Sequence, residues 1–363
     1  MPSPLRILIA EDSELFAQVL EELLSGEPDI EVIATVDNGE DAVHLCSELS
    51  PDLVVMDIQM PRLDGLSATE QIMATSPTPI LVVTSDPYRN GVDLSFKALS
   101  AGALDLIAKP MLLPDAEASR SDLLRKVRLL AQIPVIRHVR GKLKKQRYDA
   151  SLTPRLAEAS RREQSPGSPL VGIVASTGGP KALARLLGDL DRDFEGGVVI
   201  VQHITQGFTE HLARWLDANT KLRVIEAPEG ATPEPGTVMI APGGKHTRID
   251  ADGKIRFEHP RAKEDKPSTH CPSGDRLLDS MARHAPRRSV GIILSGMGDD
   301  GARGLAKLRA QGAPTMAQDR ASSVVWGMPS AAIQREAVLE VVALEKMAEQ
   351  LSLVVSRLTR TRG

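Results

Sequence analysis

Serine, histidine and aspartate recur in three segments of this chain, each just after an apolar, β-branched run. Ser176 closes GIVAS in GIVASTGGPKALARLL (172–187), where a glycine pair, Pro180 and a helical pattern follow. Glycine permits a tight turn and proline suits the first helical turn. Ser176 is then expected beside free helix-end N–H groups, which favour a developing oxyanion. His203 follows the run in VVIVQHITQGF, and VGIILSGMGDDGARG sets Met297, Asp299 and Asp300 after another. Hydroxyl, imidazole and carboxylate are the parts of an acyl-transfer triad. These residues alone leave alternatives open. STGG is also an ordinary turn or a phosphate nest, GDDG is also a turn or a cation loop, and nothing chooses between Asp299 and Asp300. The hydrolase elbow GxSxG is absent.

The first third carries a different set. Glu11 and Asp12 follow LRILIA, Asp57 follows DLVVM, Thr84 and Ser85 end ILVVTS, and Lys109 and Pro110 follow LDLIA. Carboxylates converging on one spot repel each other unless a cation joins them, and Mg²⁺ is the natural oxygen-binding choice. A carboxylate beside Mg²⁺ and a lysine can attack a phosphoryl group, with a threonine hydroxyl bonding a phosphoryl oxygen.

The elements that must position these residues are short apolar runs alternating with helical patterns. LRILIA, EVIATV, DLVVM, ILVVT and LDLIA alternate with stretches such as SELFAQVLEELLS, GEDAVHLCSELS and one from about Asp115 to Leu130. LVGIVAS, GGVVIVQ, GTVMIAP and SVGIILS repeat the logic later. Runs apolar on both faces indicate strands covered on both sides by helices. The fold class expected is α/β, with two doubly wound parallel sheets whose sites lie at the carboxyl ends of strands.

The 363 residues suffice for two domains. Residues 1–132 hold 9 basic and 22 acidic side chains (net −13), residues 133–165 are +6 and residues 166–363 are +3, within a total of −4. This division suggests 1–132, a basic flexible linker over 133–168, and a second domain over 169–358. The near-neutral total and 2% aromatic content argue against nucleic-acid binding. Two cysteines exclude a disulfide scaffold. No segment reads as a secretion signal or membrane span, so a cytoplasmic protein without membrane insertion is expected. His246, in APGGKHTRI, reads as a substrate contact or as a simple polar loop residue. His270 and Cys271, in THCPSGD, are only two metal-type ligands without nearby partners, which is weak evidence for a metal.

EDS, VVMDIQMPRLDG, VVTS and AKP closely resemble the response-regulator receiver domain, over about residues 5–130. The resemblance implies a flavodoxin-like fold, Asp57 as phospho-acceptor, Glu11, Asp12 and Asp57 as Mg²⁺ ligands, and Thr84 and Lys109 as switch and charge partners. Glu11 stands where receivers usually have aspartate. Leu106 stands where an aromatic usually serves the rotamer switch. ASTGGP, VQHIT, APGGKH, SGMGDDGARG and ASSVVWGMP resemble the catalytic domain of the chemotaxis protein-glutamate methylesterase family (CheB), over about residues 170–357. That resemblance implies a Rossmann-like esterase domain with Ser176 as nucleophile, His203 as general base and Asp300 as triad acid. Thr177 and Met297 fall at positions the family associates with the site.

The two resemblances together imply phosphorylation-gated hydrolysis of glutamate methyl esters on chemoreceptor cytoplasmic domains, with glutamine deamidation, a histidine kinase as phosphodonor and no cofactor in the esterase domain. In the gating expected, the unphosphorylated receiver covers the esterase cleft. Phosphate makes the −13 segment more negative still, so simple attraction predicts the wrong direction and loop rearrangement must dominate. The rivals are a phospho-dependent adaptor without turnover and a receiver-linked esterase acting on another protein.

Overall fold

The computed structural model describes residues 3–84, 91–109, 116–135, 167–260 and 270–360. Ser85, Pro110 and residues 136–166 of the expected linker therefore lie outside the described residues. The chain divides into two compact units, Met1–Lys145 and Gln146–Gly363.

The first unit alternates strands β1 (Leu5–Ala10), β2 (Ile30–Val36), β3 (Leu53–Asp57), β4 (Ile80–Thr84) and β5 (Asp105–Ala108) with helices. The helices are α1 (Glu14–Ser25), α2 (Gly39–Leu49), α3 (Gly65–Thr75), α4 (Gly91–Ala101) and α5 (Ala116–Leu130). The sheet order is β2-β1-β3-β4-β5, and every pairing is parallel. β3 and β4 are buried along their whole length, as strands with helices on both faces must be. Helix α1 buries Phe16, Ala17, Leu20, Leu23 and Leu24, a helical-period stripe in which each large side chain contributes about 1.5–3 kcal/mol. Asn38 and Asp64 cap α2 and α3 by accepting from the Asp41 and Ser67 amides. The chain steps from β1 to β2 on one side and on to β3 on the other, which opens a crevice above the ends of β1 and β3.

The second unit has β6 (Leu170–Ala175), α6 (Gly179–Gly188), β7 (Gly197–Gln202), α7 (Thr209–Asn219), β8 (Arg223–Glu226) and β9 (Thr237–Ile240). An antiparallel hairpin, β10 (His246–Ile249) with β11 (Ile255–Glu258), leads toward α8 (Gly274–His284). There follow β12 (Ser289–Ile293), α9 (Ala302–Ala310), β13 (Thr315–Gln318), α10 (Gly327–Gln334), β14 (Glu340–Val342) and α11 (Leu344–Arg360). The order β14-β13-β12-β6-β7-β9-β8 is again parallel throughout. Its switch point lies between β6 and β12, in the middle of the sheet. The four runs expected as strands are β6, β7, β9 and β12. Three more, β8, β13 and β14, span only three or four residues each and carry polar ends such as Gln318 and Glu340. Among the described residues no helix is long and apolar enough to cross a membrane.

Candidate active site

Ser176, His203 and Asp300 follow three adjacent strands. Ala175 pairs with Gln202 across β6 and β7, and the His203 amide donates to the Ala175 carbonyl at 2.9 Å. Ser176 and His203 are therefore the next residues at the same level of neighbouring strands. On the other side Val174 pairs with Ile293, and the Ser176 amide donates to the Ser295 carbonyl at 3.0 Å. The turn after Ser176 needs glycine. Gly178 caps α6 at φ 75°, and a Cβ there meets Val324 at 2.6 Å.

Asp300 receives His203 Nε2 at 2.8 Å. It also accepts from Ser273 Oγ at 2.8 Å, the Gly274 amide at 2.6 Å and the Asp275 amide at 3.1 Å. Those amides open α8, where the helix dipole favours an anion. Burial pushes the Asp300 carboxyl up, but the hydrogen bond and charge of His203, with the two amides, hold it well below the usual carboxylate range. With Nε2 engaged, His203 Nδ1 is buried without a hydrogen-bond partner among the described residues. That nitrogen is the one the Asp300 bond leaves over. The side chains of His203 and Asp300 are only 6% and 11% exposed.

Adjacent aspartates part company here. Asp299 is turned outward, 64% exposed and paired with Arg335 at 3.1 Å. Thr177 is buried, and its carbonyl accepts from Ser295 Oγ at 2.8 Å; Met297 is half-buried. His246 is fully buried as the first residue of β10. This corrects the expectation of a substrate contact, because no surface of the ring is reachable. Two supporting residues escaped the sequence reading. Gln202 Nε2 donates to the carbonyls of both Ser176 and His203, at 2.9 and 3.0 Å. Ser273, the residue before α8, is held to Asp300.

In the first unit, carboxylate oxygens of Glu11, Asp12 and Asp57 lie within 4.8 Å of one another. Lys109 Nζ reaches Glu11 at 2.6 Å and Asp57 at 3.1 Å, and it lies 4.7 Å from the centre of the Phe16 ring. The Ile58 amide donates to Asp57 at 2.7 Å. Burial, then the Asp57 charge, pushes the Glu11 carboxyl up, and burial also pushes Asp57 up against the pull of Lys109. Gly65 is required here, since a Cβ would stand 1.9 Å from the Asp57 carbonyl. Thr84 is buried at the end of β4, and its carbonyl accepts the Lys109 amide at 2.8 Å. Leu106 is buried too.

A family model for the CheB methylesterase matches residues 171–351, and one for the response regulator receiver domain matches 7–118. The chain is 42% identical, over 95% of its length and 92% of the relative's, to a protein-glutamate methylesterase/protein-glutamine glutaminase of Myxococcus xanthus. It belongs to the CheB methylesterase family. A second such relative, from Anaeromyxobacter dehalogenans, is 41% identical with 96% of both chains covered. The solved catalytic domain of Thermotoga maritima CheB methylesterase is 36% identical, covers 52% of this chain and 99% of that one, and has a TM-score of 0.49. The CheB order of a receiver followed by an esterase domain is the order that the sequence motifs implied, and the chain is a hydrolase of that family.

Proposed function

We propose that the second unit hydrolyses γ-glutamyl methyl esters on chemoreceptor cytoplasmic domains and deamidates receptor glutamines, under control of Asp57 phosphorylation by a histidine kinase. The observation that carries this reading is the 2.8 Å His203–Asp300 bond at a strand end level with Ser176, with Nδ1 left over. Ser176 Oγ attacks the ester carbonyl while His203 Nδ1 takes its proton. The carbonyl electron pair moves onto oxygen, which the amides at the start of α6 stabilise. The intermediate collapses, and the departing methoxide takes the proton from His203 to leave as methanol. Water then attacks the γ-glutamyl–Ser176 ester and gives a proton to His203, which passes it to the departing Ser176 Oγ as the glutamate is released and ionises. Glutamine follows the same course with ammonia as the leaving group. Thr177 and Met297 shape the pocket through backbone and packing. The chain's own side chains and amides carry this chemistry, with no cofactor.

In the receiver, Glu11, Asp12 and Asp57 would hold Mg²⁺. The donor set fits, because three carboxylates face one ammonium in a largely buried crevice and burial already disfavours two of the charges. Bound there, the ion supplies positive charge toward phosphoryl oxygens. Asp57 Oδ attacks the phosphorus of the kinase's phosphohistidine, the P–N bond breaks and the histidine departs, while Lys109 offsets the phosphoryl charge and the Thr84 hydroxyl donates to it. Action on the receptors is from the cytoplasm.

Methanol release from methylated receptor membranes tests this reading. The wild-type chain is expected to release methanol, and Ser176→Ala to lose at least about 10⁴-fold. A chain that binds receptors without releasing methanol is an adaptor, and release from another protein alone identifies a different substrate; either result overturns the proposal.

A further inference from the structure

The segment before α8 holds more than the acid. The imidazole of His270 lies face to face with that of His203, centroids 4.0 Å apart and planes 13° from parallel. Three residues later the same segment gives Ser273 Oγ and the Gly274 and Asp275 amides to Asp300. One short stretch therefore grips His203 by its ring face and Asp300 by its oxygens. A single hydrogen bond from Nε2 to Asp300 fixes one point of the His203 ring and leaves rotation about that bond free. A flat neighbour on the ring face removes that freedom.

Resting on the esterase reading above, we propose that His270 is a positioning residue, whose stacked ring holds the His203 imidazole in the plane that aims Nδ1 at the serine side. His270 does not touch the reacting atoms and moves no proton. Three carboxylates of these segments have described partners. Asp300 bonds His203, Asp275 holds Arg303 at 2.8 Å and the Gly304 amide at 2.8 Å, and Asp299 holds Arg335 at 3.1 Å. The proposed role rests on the stacked geometry of the ring, so another flat ring is expected to serve.

The test uses the full chain with His270→Ala and His270→Phe, and reads two quantities. One is kcat and KM for methanol release. The other is the rate at which a fluorophosphonate modifies Ser176, followed by mass, which needs the activated serine but no receptor. Misplacing a catalytic group costs up to about 10²-fold. His270→Ala is expected to lower kcat and the labelling rate by about 10- to 100-fold with KM nearly unchanged, and His270→Phe to restore both to within about threefold. Equal loss in the alanine and phenylalanine variants overturns the proposal, as does an alanine variant with wild-type rates. If alanine prevents folding, His270→Leu, of similar bulk without a flat ring, takes its place with the same expected loss. If the wild-type chain releases no methanol, the esterase reading fails, while the labelling rates still decide the role of His270.

Discussion

Two crevices in this molecule are built on one plan and tuned in opposite directions. Each lies at the switch point of a parallel sheet and presents a buried carboxylate at a strand end. In the first unit burial prevails, and Glu11 and Asp57 are pushed up even though Lys109 bridges them. In the second, Asp300 is as deeply placed and is held down, because His203, Ser273 and two helix-start amides surround its oxygens. Burial alone does not set a carboxylate's state; the number of donors aimed at it does. The receiver crevice holds excess negative charge suited to a cation and a phosphoryl group, whereas the esterase crevice holds a finished anion that orients a base.

That contrast can be broken most severely at Asp300. Asp300→Asn keeps the shape, removes the charge and is expected to cost about 10⁴-fold in kcat for methanol release. In the receiver, Glu11→Gln leaves Lys109 with Asp57 and removes one ligand, and it is expected to abolish Mg²⁺-dependent incorporation of phosphate at Asp57. Chelation of the metal is expected to do the same to the wild-type chain. Both are measured by radiolabelled phosphate transfer, and basal esterase activity should be unchanged in each case.

Ser273→Ala sharpens the comparison by taking away one donor. A hydrogen bond to a charged group is worth about 1.5–3 kcal/mol, so roughly a tenfold or greater fall in kcat is expected, smaller than that of Asp300→Asn. The two crevices should also respond oppositely to pH. Glu11 and Asp57 have raised folded-state values, so the folded unit binds protons more tightly and its stability falls as pH rises from the ordinary carboxylate range through those values. Asp57→Asn removes that loss and is expected to raise the stability of the unphosphorylated receiver at neutral pH, measured by urea denaturation of the full chain. Asp300 has the reverse sign, with stability present above the ordinary range and lost only as pH falls toward its depressed value. The smallest effect belongs to Arg335→Ala. The Arg335–Asp299 pair is solvent-exposed and worth at most about 1 kcal/mol, so stability and kcat should barely change.

The sequence made the two sheets legible where strands are central, because doubly covered strands read as unbroken apolar runs. In the second sheet β8, β13 and β14 were silent, being short and half polar. Ser176 and His203 stood out because each follows such a run, whereas Asp299 and Asp300 are neighbours whose directions no spacing reveals. Only the fold turns one toward α8 and the other toward Arg335. Gln202 and Ser273 act through backbone carbonyls and a distant carboxylate, which leave no periodic trace in the chain. His246 misled for the opposite reason, since a polar residue next to a glycine turn looks accessible until the hairpin closes over it.

The account stands on a covalent step at Ser176. Acid-quenching the full chain during turnover of a γ-glutamyl methyl ester peptide, then mapping peptides by mass, tests that step directly. A γ-glutamyl adduct on the peptide bearing Ser176, absent in Ser176→Ala and scarce in Asp300→Asn, is the predicted result. An adduct on another residue such as Cys271, or methanol release that persists in Ser176→Ala, would contradict it.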